Sequence, residues 1–253
     1  KREYEVRGKV KVSDSSWNER FTPELVKFLK ACVIHGIEHM SQEPSRVLGK
    51  RLAIFRDVMI QDSTIIRLHE SLADKWPATR SRRAAAGVKI ATLTSAIANS
   101  PKSLSILPEN TSELKTLKIG PWVKDIILLF DLGFYKYQLF SRIVENGGYF
   151  VSRLKSNANP LIVDTNCALK NRDIDLKGKY LKDIVLDKND GILDVNVEVS
   201  FNRRIYSGKS KKDNKIFRLV AVFNTEDEKY HFYITNISPD ILDASEIGAL
   251  YAT

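Results

Sequence analysis

Two aspartates lie at the ends of two predicted strands and could hold a divalent metal ion. Asp62 falls in VMIQDST, residues 58–64, and Asp131 follows the apolar run IILLF, residues 126–130. A carboxylate at a strand end is fixed by the backbone, and Mg²⁺ prefers such hard oxygen ligands. Two carboxylates from neighbouring strands, with a third from a helix, make a site for two-metal phosphodiester chemistry. Most aspartates at strand ends are turn or cap residues, so spacing alone leaves both interpretations open.

The charge balance predicts a polyanionic partner. The chain of 253 residues has a formal net charge of +9 and a pI of about 9.4. Nucleic acid is the leading partner, because lysine and arginine neutralise phosphates, but a merely basic or ribosomal protein has the same charge. Cys32 and Cys167 form no CxxC pattern, and no signal peptide or membrane-spanning run is visible. We therefore expect a cytoplasmic protein with reduced thiols.

The first 55 residues predict a helical segment. Residues 22–40 have apolar positions at helical spacing, with Thr22 as a suitable N-cap and Pro23 at the first helical position. Residues 44–55 predict a second, short helix. His35 and His39 match an H-x-x-E-H zinc pattern. A packed or surface histidine pair is the interpretation that we favour.

The middle of the chain predicts a mixed α/β layer. A helix is expected over 134–147, ended by two glycines, and Asn110 with Glu113 resembles a capping box for a shorter helix. The strands are expected at 58–64, 87–97, 104–110, 125–133 and 149–155.

Residues 156–237 predict a β-rich insertion of roughly 80 residues that interrupts this layer. Strands are expected over 192–201, 216–223 and 230–237, with a basic hairpin loop over 209–215. After this block, Asp243 and Glu246 form a second capping box, and a helix begins at Ala244.

Several local sequences together closely resemble the insertion-sequence DDE transposases that carry a YREK signature. They are QDSTIIRLHESL (61–72), GVKI (87–90), LPENT (107–111) and DLGFYKYQLFSRIVENGGYFVSRLK (131–155). The resemblance runs from about Asp57 to Thr253. It implies an α/β (α+β) fold: an RNase H-like mixed sheet with flanking helices over 56–155 and 238–253. A β-rich insertion at 156–237 interrupts the sheet, and an N-terminal helical segment at 1–55 precedes it.

The resemblance also implies residue roles. Asp62 and Asp131 correspond to the first two catalytic, metal-holding carboxylates, and Tyr251 corresponds to the tyrosine of Tyr-x2-Arg-x3-Glu-x6-Lys. The arginine and the third acid, a glutamate, would fall after Thr253, and Glu246 lies too early to be that acid. We therefore expect the RNase H-like core of this chain to be incomplete at its C-terminus. We also expect the 253-residue chain to be inactive or severely impaired.

The function implied is DNA transposition: metal-dependent cleavage at transposon ends and strand transfer into target DNA. Two Mg²⁺ or Mn²⁺ ions would be the cofactors, with no covalent protein–DNA intermediate and no small-molecule cofactor. DNA is the partner, and a homodimer is expected when two ends are paired. The predicted DNA contacts are Arg80, Arg82, Arg83, Lys89, Arg153, Lys155, Lys209, Lys211, Lys212 and Tyr251. A solvated loop is the alternative for the first four, and a plain exposed hairpin is the alternative for Lys209, Lys211 and Lys212. The resemblance also implies a prokaryotic, nucleoid-associated protein.

Two other functions fit the sequence. The chain could be a truncated, non-catalytic transposase-derived protein that binds DNA ends or blocks their pairing. A metal nuclease of the same fold that acts in repair is the weaker alternative, because the motifs match transposases more closely. Coding sequence after Thr253 would discriminate between an enzyme shown in part and a binding remnant.

Overall fold

The fold is built on one large mixed sheet. A computed structural model describes residues 1–40, 49–79, 85–167, 169–170, 175–203 and 212–252. Within these residues the strands form a single nine-stranded sheet of order β3-β2-β1-β4-β5-β9-β8-β7-β6. The strands are β1 Asp57–Leu68, β2 Ala86–Ser95, β3 Ser100–Pro108, β4 Ile126–Phe130, β5 Tyr149–Arg153, β6 Leu161–Cys167, β7 Leu193–Asn202, β8 Lys212–Asn224 and β9 Lys229–Thr235.

The first five strands position the two aspartates. β1, β2 and β3 are antiparallel neighbours, whereas β4 is parallel to both β1 and β5. Parallel neighbours need a crossover connection, and helix α4, Tyr137–Glu145, lies between β4 and β5. This mixed arrangement with few helices is the α+β, RNase H-like fold expected from the sequence.

Burial explains why β4 lies at the centre of the sheet. All five residues of Ile126–Phe130 are buried, as expected for a strand that is covered on both faces. On one face α4 supplies Phe140, whose ring stacks on Phe150 of β5 with 4.2 Å between centroids. Phe217 of β8 meets Phe150 edge-on at 5.3 Å. The aromatic core therefore runs from the first five strands into the later ones.

The strands of the predicted insertion continue the same sheet. β9 pairs antiparallel with β5 through Val151–Thr235, Ser152–Ile234 and Arg153–Tyr233. β8, β7 and β6 follow outward, each antiparallel to its neighbour. β6 was not predicted from the sequence. The strands of residues 156–237 were expected to interrupt the layer, but they extend its hydrogen-bonded sheet. The division into three domains stays a prediction.

The N-terminal segment is helical, as expected. It contains α1 Arg2–Gly8, α2 Asp14–Asn18 and α3 Pro23–Met40, and none of these helices has a buried residue. The Thr22 hydroxyl accepts a hydrogen bond from the Leu25 amide at 3.2 Å, which confirms the predicted N-cap. The second predicted helix, 44–55, lies partly outside the described residues, and its described part contains a 3₁₀ turn at Leu52–Ile54.

The two predicted capping boxes had different outcomes. Helix α5, Ala244–Ala252, is capped reciprocally: the Glu246 amide donates to Asp243 at 2.9 Å, and the Asp243 amide donates to Glu246 at 2.8 Å. The box predicted at Asn110 is wrong. Ser112, not Asn110, is the residue before the 3₁₀ turn Glu113–Lys115. The Glu113 carboxylate accepts a hydrogen bond from the Ser63 hydroxyl.

A buried ion pair holds the turn that leads into α5. Arg218 of β8 donates to both oxygens of Asp194 on β7, at 2.9 and 2.6 Å. Both side chains are buried. The same guanidinium donates to the carbonyls of Ile237, at 3.1 Å, and Leu242, at 2.7 Å. The outer strands thereby fix the start of the last helix.

We expect Arg218→Leu to lower the free energy of unfolding by about 3 kcal/mol, because it leaves the charge of Asp194 in the core without its cation. Urea denaturation monitored by circular dichroism measures the change. Arg203→Ala is the matched control, because its ion pair with Glu145 is exposed and should contribute less than about 1 kcal/mol. Equal destabilisation by the two substitutions would contradict this role for Arg218.

Candidate active site

The parallel pairing of β1 with β4 brings the two aspartates together. Gln61 is the register partner of Phe130, so the next residues, Asp62 and Asp131, lie side by side. Both side chains are exposed. They line a cavity of about 270 Å³ together with Ile60, Gln61, Leu129, Phe130 and Tyr251.

Asp62 is not at the end of its strand, contrary to the prediction. β1 continues to Leu68 through its pairing with β2, and only its pairing with β4 stops at Gln61. Asp62 therefore lies where one edge of β1 becomes unpaired. Its Oδ1 accepts a hydrogen bond from the Ser63 amide at 2.7 Å. Asp131 does follow the last residue of β4 and precedes the 3₁₀ turn Leu132–Phe134.

Helix α5 reaches the same edge of the sheet. The Tyr251 hydroxyl donates to the Phe130 carbonyl at 2.7 Å, one residue before Asp131. Burial raises the pKa of Tyr251, and the negative charge of Asp131 raises it further. The phenol is therefore neutral at physiological pH and ties α5 to the end of β4. Its predicted contact with DNA stays a prediction.

Asp57 lies on the same strand as Asp62 but belongs to the fold. It is buried and accepts hydrogen bonds from the Ser95 hydroxyl at 2.6 Å, the Val58 amide at 2.8 Å and the Ile97 amide at 3.3 Å. The bonds join the start of β1 to the end of β2.

Arg153 lies at the same edge of the sheet as Asp131, because the two residues follow the register partners Ser152 of β5 and Phe130 of β4. Arg153 ends β5, and its charge acts on the Tyr251 phenol, which is also influenced by Asp131. The Lys155 ammonium lies 5.4 Å from the centroid of the Tyr135 ring. Both residues line a cavity of about 500 Å³ that also includes Leu132 and Lys182. Their predicted DNA contact remains untested, but their position suits it.

His231 of β9 orients Arg153. The Arg153 guanidinium lies 3.0 Å from His231 Nδ1. Arginine can only donate, so this nitrogen accepts and the proton is on Nε2. Nε2 then donates to Asp227 at 2.7 Å, and this bond lowers the pKa of Asp227. Sequence patterns missed this chain of contacts, because the three residues come from different strands and turns.

Lys89 is a structural lysine, contrary to the prediction. It is buried, its ammonium donates to the Thr111 carbonyl at 2.8 Å, and it lies 3.8 Å from Glu113. The ammonium is held by the segment that follows β3, through Thr111 and Glu113, so it is engaged within the fold.

The other predicted basic contacts are described only in part. Lys212 is exposed at the start of β8. Residues 212–215, expected in a hairpin loop, are part of that strand. The predicted contacts that lie outside the described residues are Arg80, Arg82, Arg83, Lys209 and Lys211.

Other metal sites receive no support within the described ranges. His35 and His39 are exposed on α3, with their rings parallel and 6.3 Å between centroids. No group of three or more histidine, cysteine, aspartate or glutamate residues that could hold a metal ion occurs among the described residues. Asp62 and Asp131 share one cavity and offer carboxylate oxygens, the ligand type that Mg²⁺ and Mn²⁺ prefer. No described helix is long and apolar enough to cross a membrane.

Residues 54–253 match the family described as "Transposase DDE domain". The chain belongs to this family. Its mixed α+β sheet agrees with the fold that the resemblance implied, and the family favours a transposase over the truncated-remnant alternative. The family generally uses divalent metal ions, which agrees with the oxygen ligands at this edge.

Relatives with known names support the same family. The chain is 22% identical over 232 residues to the transposase for insertion sequence element IS231E of Bacillus thuringiensis subsp. finitimus. The aligned region covers 86% of this chain and 45% of the relative. It is 24% identical over 267 residues to the transposase for IS1151 of Clostridium perfringens, covering 93% and 55%. The chain thus spans about half the length of these relatives.

We expect Asp62→Asn and Asp131→Asn each to weaken Mn²⁺ binding to the DDE domain at least about tenfold, because each removes one charged oxygen ligand. Isothermal titration calorimetry measures the affinity. Asp240→Asn, at an exposed position before α5, is the control and should leave binding unchanged. Loss of affinity in only one of the two variants would separate the aspartates into different sites.

Proposed function

We propose that this chain is the DDE core of an insertion-sequence transposase, which cleaves DNA at transposon ends and joins them to target DNA. The observation that carries the proposal is the side-by-side placement of Asp62 and Asp131 by the β1–β4 register. Membership of the DDE transposase family supports it. Because the chain spans about half the length of these relatives, the activity of a whole transposase belongs to this proposal.

Asp62 and Asp131 would hold the divalent ions. When bound, such ions help to activate an oxygen nucleophile and stabilise the leaving oxygen of the phosphodiester. The protein's share is rigidity: the backbone of adjacent strands fixes both carboxylates, and Tyr251 holds α5 against the end of β4. By family resemblance, a glutamate further along that helix would complete the set.

Positive charge at the same edge would bind the DNA backbone. Arg153 is fixed by His231, and Lys155 lies over the Tyr135 ring. A guanidinium suits bidentate contact with phosphate, whereas an ammonium acts as a point charge. We assign both residues to phosphates next to the cleaved bond. The net charge of +9 supports DNA as the partner, and two transposon ends would require two copies of the chain.

The non-catalytic alternative differs from the catalytic one in a single measurable property, the rate of DNA cleavage. The described residues bring two carboxylates, Asp62 and Asp131, to this edge, and no group of three or more possible metal ligands occurs among them. We therefore propose that a polypeptide of residues 1–253 alone binds transposon-end DNA but cleaves it poorly.

A direct test compares residues 1–253 with a polypeptide in which α5 continues and supplies a glutamate at the YREK spacing. We expect end cleavage with Mg²⁺ to differ by at least about 100-fold, because the metal site contributes several kcal/mol to the barrier. Radiolabelled end DNA and single-turnover kinetics measure the rate. Asp131→Asn in the longer polypeptide is the inactive control. Equal rates for the two polypeptides would show that the third ligand lies within residues 1–253.

We expect Arg153→Ala and Lys155→Ala each to reduce the slope of log K against log salt concentration by about one, because each removes one phosphate contact. Fluorescence anisotropy on end DNA in Ca²⁺ buffer, over a range of salt concentrations, measures the slope. Lys124→Ala is matched in charge, but Lys124 is exposed before the opposite end of β4 and should leave the slope unchanged. An unchanged slope for Arg153→Ala and Lys155→Ala would remove both from the interface.

A further inference from the structure

We infer that Glu113 is a positioning residue that holds the segments after Asp62 and Asp131 in one fixed arrangement. The inference rests on the proposed function, since it concerns the same two carboxylates. Glu113 begins the 3₁₀ turn Glu113–Lys115, which contacts the 3₁₀ turn Leu132–Phe134 that follows Asp131.

The first contact is with the neighbour of Asp62. The Ser63 hydroxyl donates to Glu113 Oε1 at 3.1 Å. The Ser63 amide donates at the same time to Asp62 Oδ1. Ser63 therefore connects Glu113 to Asp62. Its side chain is held by Glu113, and its backbone amide holds Asp62 where β1 is no longer paired with β4.

The second contact is with the turn after Asp131. A methyl group added at Gly133 would lie 2.7 Å from Glu113 Cδ and closer still to Oε2. The carboxylate therefore occupies the space that any side chain at this position would need. The φ of Gly133 is outside the positive range in which glycine is favoured, so the obstacle to a side chain here is the Glu113 carboxylate, which would have to move.

The third contact supplies compensating charge. The buried Lys89 ammonium lies 3.8 Å from Glu113 Oε1 and is itself fixed by the Thr111 carbonyl. A carboxylate that is partly removed from water needs such a partner. Lys89, predicted to contact DNA, thus supports the acid that spans the two segments.

This arrangement answers a physical need of the site. Two like charges placed side by side repel each other until a cation binds, and exposed side chains lose conformational entropy when they become ligands. Residues that fix the ligands in advance reduce that cost, and their loss typically weakens metal affinity about 10- to 100-fold. Glu113 acts on both ligand segments through one carboxylate, and it touches neither aspartate directly.

The test is Mn²⁺ titration calorimetry on the domain with Glu113→Ala, Glu113→Gln, Gly133→Ala and the Glu113→Ala/Gly133→Ala double variant. We expect Glu113→Ala and Gly133→Ala each to weaken binding about tenfold. The double variant should be no weaker than Glu113→Ala alone, because removal of the carboxylate makes room for the new methyl group. Glu113→Gln keeps an oxygen for Ser63 and should stay within about threefold of wild type.

Thermal unfolding of the same proteins tests the contact without metal. The loss of melting temperature in Gly133→Ala should be largely recovered in the double variant, a coupling that independent sites do not show. If Gly133→Ala does not fold, recovery of folding in the double variant supports the inference, and Ser63→Ala replaces it in the titration with an expected loss of a few-fold.

Wild-type affinity in Glu113→Ala, or losses that multiply in the double variant, would overturn the inference. Asp62→Asn separates this failure from failure of the proposed function. If Asp62→Asn loses Mn²⁺ binding while the Glu113 variants keep it, only the positioning role is wrong. If Asp62→Asn also binds as wild type, the metal site itself is misplaced.

Discussion

The site depends on one register: the parallel pairing of β1 with β4 that sets Gln61 beside Phe130. Because side chains alternate between the two faces of a strand, a slip of one residue would send Asp62 to the opposite face from Asp131. The register is specified by burial. All of β4 and most of the paired part of β1 are enclosed, so a slipped pairing would expose apolar side chains and bury Asp62. The chemistry of the edge is thus set by the core beneath it.

The outer strands contribute to this edge although they lie far from it in sequence. β9 continues the sheet from β5 and brings His231 to Arg153. β8 and β7 carry the Arg218–Asp194 pair, which holds the carbonyls before α5. α5 in turn places Tyr251 against Phe130. The strands of the predicted insertion therefore position the Arg153 guanidinium and helix α5 relative to the two carboxylates.

Much of this could be predicted from local sequence. A few consecutive residues were enough to predict three features: the apolar strand β4, the Thr22 cap of α3 and the Asp243–Glu246 box of α5. Strand β6 could not be predicted in this way. Its sequence, LIVDTNC, becomes polar after three residues, and the strand is stabilised by its pairing with β7. Lys89 was misinterpreted for a related reason. A basic residue beside the first aspartate strand suggests contact with phosphate, yet the ammonium of Lys89 is held by Thr111 and Glu113, which are distant in sequence.

Glu113 shows why the remainder of a site escapes sequence patterns. Its spacing from Asn110 fits a capping box, a local interpretation that needs no tertiary contact. In the fold, the carboxylate instead reaches Ser63 and passes against Gly133. The serine after the first aspartate and the glycine two residues after the second then have a common physical cause: each accommodates the same acid. Resemblance to a family can locate the two aspartates, whereas the residues that hold them are found only where three separate segments of the chain meet.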